Sequence, residues 1–165
     1  MWRNSSRPGV RKRLPVAEMI VLDANILIRA VLGKRVRQLL ETYTTHRIRF
    51  YAPEIAYADA AKYLPALLIK RGKSDADVLA ALAYLQYLFE PISQETYGLF
   101  EDEGRRRLRG RDEDDWPALA AALSLSYPIW TEDADFFGTG AAVWTSDRVE
   151  IFLKEQSERD DLGGV

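Results

Sequence analysis

Apolar residues along this chain switch between short unbroken runs and helical spacing, and the switches mark out alternating strands and helices. Met19 to Leu22 is an apolar run that ends on Asp23. A strand buried on both faces of a parallel sheet has this pattern, and it places Asp23 at the carboxyl end. Asn25–Leu32 and Arg35–Tyr43 carry apolar residues at helical spacing on either side of Gly33, which predicts a short helix and then a second one. Ile48–Tyr51, β-branched and aromatic, predicts the second strand, closed by Pro53. From Pro53 a helical stripe of Ile55, Tyr57, Ala58, Ala61, Tyr63 and Leu64 continues to Lys70, with Pro65 marking either a kink or a break and restart. Ser74 and Asp77 form a capping-box pattern that opens a helix to Phe89.

The second half repeats the alternation. Pro91–Ile92 is a short strand, and Ser93 or Gln94 leads into a helix through Gly104. Asp115 opens a helix from Trp116 to Ser124 with Pro117 in its first turn. Tyr127–Thr131 is a buried strand with Asp133 just past its end; Ala142–Thr145 and Asp147–Lys154 give a last strand and a last helix. The expected fold class is α/β, a three-layer sandwich with a mostly parallel central sheet flanked by helices.

Composition narrows the class. The chain has 165 residues, 47% hydrophobic and 29% charged, enough for one folded domain with a substantial core. Arg3, Arg7, Arg11, Lys12 and Arg13 stand among serines, prolines and a glycine, so residues 1–17 are expected to be a flexible basic arm. No apolar core with a small-residue cleavage site follows them, so the arm does not read as a secretory signal. Residues 157–165 are expected to be a disordered tail, leaving 18–156 as the folded domain. No run approaches the roughly 18–20 apolar residues of a bilayer span, so no membrane partner is expected. With no cysteine, disulfides, thiolate nucleophiles and cysteine zinc sites are excluded, and a cytoplasmic location is compatible. The net charge of −2 offers no global attraction to nucleic acid. Locally, however, Arg105, Arg106, Arg107, Arg109 and Arg111 directly precede the acidic stretch Asp112–Asp115, a juxtaposition suited to a polyanion.

Four aspartates carry the candidate chemistry: Asp23, Asp59, Asp115 and Asp133. Asp23, Asp115 and Asp133 each suit a helix cap taken singly. Asp59, within Ala56-Tyr57-Ala58-Asp59-Ala60-Ala61, reads as a carboxylate on a core-facing stripe, which requires a partner. If the four converge, their hard oxygens form a site for Mg²⁺ or Mn²⁺. His46 is the single histidine; it reads as a surface residue at a helix end, with no nucleophile elbow beside it to suggest a triad. Trp116, Trp130 and Trp144 lie in apolar segments and read as core.

The ordered segments resemble a PIN domain, the metal-dependent ribonuclease fold of VapC-type toxins. The matching stretches are Val21-Leu22-Asp23-Ala24-Asn25-Ile26-Leu27-Ile28, Pro53-Glu54-Ile55-Ala56-Tyr57-Ala58-Asp59, Asp115-Trp116-Pro117-Ala118-Leu119-Ala120-Ala121-Ala122 and Pro128-Ile129-Trp130-Thr131-Glu132-Asp133-Ala134-Asp135-Phe136-Phe137. The resemblance implies that Asp23, Asp59, Asp115 and Asp133 are the catalytic, metal-binding acids. The second acid of the family is usually a glutamate; Asp59 is one methylene shorter, and Glu54 competes for the role. Asn25 fits the small polar residue that follows the first acid. Asp112 and Asp135 are auxiliary acids by proximity, and Thr131 is a candidate partner for a carboxylate or a metal-bound water. Hydrolysis of RNA phosphodiesters with Mg²⁺ or Mn²⁺ follows, with the five arginines on flanking phosphates. An antitoxin partner and a homodimer are implied in the same way. Two other readings compete: a PIN-fold RNA-binding or interaction module without catalysis, and an aspartate-nucleophile phosphotransfer protein built on Asp23.

Overall fold

The computed structural model describes residues 18–163; the N-terminal arm lies outside them. In chain order the elements are β1 (Met19–Leu22), α1 (Ala24–Leu32), α2 (Lys34–Thr44), β2 (Arg49–Pro53), α3 (Glu54–Lys70), α4 (Asp75–Leu88), β3 (Glu90–Ile92), α5 (Gln94–Tyr97), α6 (Glu101–Arg107), α7 (Trp116–Leu125), β4 (Ile129–Trp130), β5 (Val143–Trp144) and α8 (Val149–Gly163). The strands form one sheet in the order β3-β2-β1-β4-β5, and every pairing is parallel.

The unbroken apolar run of β1 is explained by burial on both sides. Ile20 and Leu22, with Trp130, pack into a core that includes Leu27 of α1, Leu40 of α2, Leu64 of α3, Leu85 of α4 and Leu153 of α8. Val21 and Ile129 point the other way, into a second core with Tyr97, Leu108 and the alanine-rich face of α7. The result is a three-layer α/β sandwich. The chain steps outward from β1 to β2 to β3 with α1–α4 on one face, then returns past β1 to β4 with α5–α7 on the other. Reversing direction requires helices on the opposite face if each crossover is right-handed. The reversal leaves a crevice at the carboxyl ends of β1 and β4, the position where open α/β sheets bind ligands.

Local signals hold at several joints. Ser74 and Asp77 form a reciprocal capping box at α4, and Gly33 separates α1 from α2. Pro65 lies inside α3 without ending it. Three expectations change. The helix expected from Ser93 or Gln94 through Gly104 is interrupted by a 3-10 turn at Gly98–Phe100, where glycine lowers helix propensity. The final helix extends past Lys154 to Gly163, so residues 157–163 of the expected disordered tail are helical. Buried Val149, Phe152, Leu153 and Gln156 continue one stripe at helical spacing, whose last member is polar and so hides the stripe's length from a hydrophobicity pattern. The third change is at Asp59, which is exposed rather than on a core-facing stripe. Among the described residues no helix is long and apolar enough to cross a membrane.

Candidate functional site

Asp23 leaves β1 in an extended conformation and caps α1, its Oδ1 accepting from the Ala24 N–H at 2.8 Å. Its other oxygen is held across the crevice. The Thr131 hydroxyl donates to Oδ2 at 2.8 Å and the Asn25 amide donates to the same oxygen at 3.0 Å. Thr131, fully buried, also accepts from the Asp133 N–H at 3.0 Å, and Asn25 Oδ1 accepts from the Glu132 N–H at 3.2 Å. Asn25 and Thr131 therefore tie the end of β1 to the end of β4. This places the backbone of the fourth acid relative to the first.

Asp133 caps the 3-10 turn Ala134–Phe136, accepting from the Asp135 N–H at 2.9 Å. Asp115 stands at the start of α7, its carboxyl close to that of Asp133. One carboxylate oxygen from each of Asp115, Asp133 and Asp135 falls within 4.8 Å of the others. Asp23, Asp59 and Asp115 line an adjoining cleft of about 70 Å³. The four acids singled out in the sequence thus gather at one edge of the sheet. Asp135 completes the tightest group, whereas the fourfold pattern had assigned it an auxiliary place.

Burial and the crowding of negative charge raise two of these carboxyls, Asp115 and Asp23. Burial, the neighbouring Asp133 carboxyl and the charges of Asp23 and Asp112 push the Asp115 carboxyl up to about 8. Burial likewise raises Asp23; bonds from Thr131 and Ala24 oppose the shift, and Asp133 and Asp59 add to it. Clustered carboxylates with no cation among them repel one another and retain protons. An all-oxygen donor set of this kind fits Mg²⁺ or Mn²⁺, which compensate the charge, and does not fit a soft metal.

The remaining candidates divide. Glu54 accepts from the Gln94 N–H at 2.9 Å and lines a groove with Tyr57, Phe89 and Pro91; the structure brings Asp59, not Glu54, to the acidic cleft. Asp112 caps Asp114 through its N–H at 3.1 Å. Asp114, not anticipated from the sequence, also lines the cleft. Its place in a run of four acids gave no signal to separate it from its neighbours. The arginine cluster is largely engaged within the protein. Arg105 pairs with Glu101 at 3.0 Å and lies over the Trp116 ring. Arg106 and Arg107 both pair with Glu103, holding its carboxyl down at about 2. Arg111 donates to the backbone carbonyls of Asp135 and Phe137. Arg109 is exposed. His46 lies in the turn after α2, exposed and near the Tyr43 ring. Trp116 and Trp130 are buried in the core, and Trp144 is half-buried against it.

Larger grooves lie elsewhere, including one of about 560 Å³ at the amino-terminal edge of the sheet, lined by Arg47, Arg49, Tyr87 and Glu90 among others. It has no comparable gathering of carboxylates, so convergent chemistry rather than volume singles out the acidic cleft.

Comparison with known proteins gives the same picture of the fold. The PIN domain family model matches residues 21–154. No curated protein matches the chain. Among solved structures, a chain of the crystal structure of VapBC2 from Rickettsia felis bound to a DNA fragment from their promoter aligns with a TM-score of 0.59. The two are 14% identical, and the alignment covers 77% of this chain and 98% of that one.

Proposed function

The chain belongs to the PIN domain family, and from that premise we propose that it is a Mg²⁺- or Mn²⁺-dependent ribonuclease hydrolysing RNA phosphodiester bonds, the toxin of a toxin–antitoxin pair. The family is in general one of nucleases. The observation that carries the reading is the gathering of Asp115, Asp133 and Asp135 oxygens within 4.8 Å beside a cleft lined by Asp23 and Asp59. When bound, a divalent cation supplies Lewis acidity toward water and compensates charge developing at the scissile phosphate.

The protein's own groups do the rest. Asp23, Asp59, Asp115 and Asp133, with Asp135, hold the cation. Thr131 and Asn25 fix one oxygen of Asp23, so that the carboxylate meets its ligand without reorganising. Burial and neighbouring charge hold the Asp115 carboxyl up at about 8, so Asp115 would give up its proton on holding a cation. Flanking phosphates meet Arg105, Arg106 and Arg109. Exposed ion pairs are worth only about 0–1 kcal/mol, so phosphates compete readily for the guanidinium groups now facing Glu101 and Glu103.

The likeness to a VapBC2 chain supports an antitoxin partner, and family resemblance supports a homodimer and a cytoplasmic location. Asp23 as a phosphoryl-accepting nucleophile is disfavoured by its three internal hydrogen bonds. The test is cleavage of a mixed RNA pool, with matched single-stranded DNA as control, with and without Mn²⁺ and with Asp23→Asn. Mn²⁺-dependent RNA cleavage that the variant loses is expected. Absence of cleavage together with absence of stoichiometric Mn²⁺ uptake would return the protein to the non-catalytic binding module.

A further inference from the structure

The loop between β4 and β5 carries two of the acids and turns twice through left-handed glycines, Gly138 at φ +81° and Gly140 at φ +92°. Such a loop points carbonyls outward that need donors. Two arginines supply them. Arg111 Nη1 donates to the carbonyls of both Asp135 and Phe137, and Arg107 Nη1 donates to the Thr139 carbonyl at 2.8 Å. Arg107 is itself held by Glu103, its Nε donating at 2.7 Å. Gly140 leaves room for a guanidinium, since a Cβ there would collide with Arg107, whereas Gly138 is required by its positive φ and a Cβ there would meet Arg111 Nη2 at an ordinary 3.5 Å.

The contacts continue to the acids. The N–H of Asp112, next in sequence to Arg111, donates to Asp135 Oδ2 at 3.3 Å, and the Asp135 N–H donates to Asp133 Oδ1 at 2.9 Å. We propose that Arg111 is a positioning residue for the acidic site, with Arg107 as second anchor: its guanidinium fixes the loop that sets the spacing of Asp133 and Asp135. The inference rests on the metal-dependent reading above, and it gives Arg107 and Arg111 a role other than the phosphate contact expected of them from the sequence. A planar guanidinium suits the task, because its donors diverge in a fixed fork that an ammonium lacks.

The test compares wild type, Arg111→Gln, Arg111→Lys and Arg109→Gln. Mn²⁺ binding is followed by electron paramagnetic resonance of the free ion, and backbone amide exchange is followed across residues 133–140. Arg109→Gln carries the same charge change two residues away on an exposed side chain. Arg111→Gln is expected to weaken Mn²⁺ about tenfold, the usual scale for a group that orients a ligand, and to speed exchange at 135–139. Arg109→Gln should change neither. Arg111→Lys, which keeps the charge if the glutamine variant folds poorly, should still speed exchange there. Wild-type exchange in both Arg111 variants, or Mn²⁺ affinity in Arg111→Gln equal to that of Arg109→Gln, overturns the positioning role. A wild type that takes up no Mn²⁺ defeats the metal reading instead, and exchange at 135–139 then decides the clamp by itself.

Discussion

At the scale of single residues, the acidic site is held in tension by its own charge. Asp115 titrates near 8 in the folded protein against an ordinary value of 3.8, so between those limits the folded state binds more protons than the unfolded one. Stability from this group is complete below about pH 4 and is lost as pH rises toward 8; the raised Asp23 adds in the same direction. Metal-free protein should therefore show a melting temperature that declines from pH 5 to pH 8, and Asp115→Asn should flatten the decline and melt higher at pH 8. Cleavage by that variant should fall by at least about a hundredfold, the upper range for disturbing a ligand's surroundings. A flat metal-free profile in the wild type would contradict the assigned crowding. Thr131 permits a separate measurement, because its buried hydroxyl donates to Asp23 and accepts from the Asp133 N–H. Thr131→Val should cost about 1–3 kcal/mol by leaving buried polar groups unpaired, and Thr131→Ser should restore most of it. Equal denaturation midpoints for the two variants would remove the hydroxyl from the account.

At the scale of elements, the sequence is most legible where one residue type has one physical reason to be present. The unbroken run of β1 requires burial on both faces, and both cores claim it. The Ser74–Asp77 pattern becomes a capping box, and Asp23 lies at a strand end as its neighbours imply. Legibility fails where side chains turn inward to other parts of the fold. Arg111 looks like its neighbouring arginines in a one-dimensional pattern, and only the return of the 135–139 loop distinguishes it. Asp59 sits among alanines that suggest a core, yet its position on α3 faces the cleft. The engaged state of α6 also sharpens its prediction. If Arg105, Arg106 and Arg109 meet RNA phosphates, replacing all three with glutamine should reduce the slope of log affinity against log salt by about 2, at roughly 0.7 per phosphate on a single strand. Mn²⁺ affinity should stay unchanged. A slope that does not move would make this face a protein contact.

For the molecule as a whole, the acids come from widely separated segments, Asp23 after β1, Asp59 on α3, Asp115 at α7 and Asp133 after β4, and only the completed sheet assembles them. The unfolded chain has no such site, so a cation that needs the assembled set binds the folded state alone and stabilises the entire domain. At a hundredfold excess over its dissociation constant, binding contributes about 2.7 kcal/mol. For a chain of this length that corresponds to a rise in melting temperature of roughly 5–10 °C. The rise should be largest near pH 8, where metal-free repulsion is greatest, and should nearly vanish in Asp115→Asn. It should also grow logarithmically with Mn²⁺ concentration without saturating, since mass action continues after the site is filled. Scanning calorimetry over a Mn²⁺ series decides the matter: a midpoint indifferent to Mn²⁺ in the wild type, or one that rises equally in Asp115→Asn, would mean that the gathered carboxylates do not form the cation site.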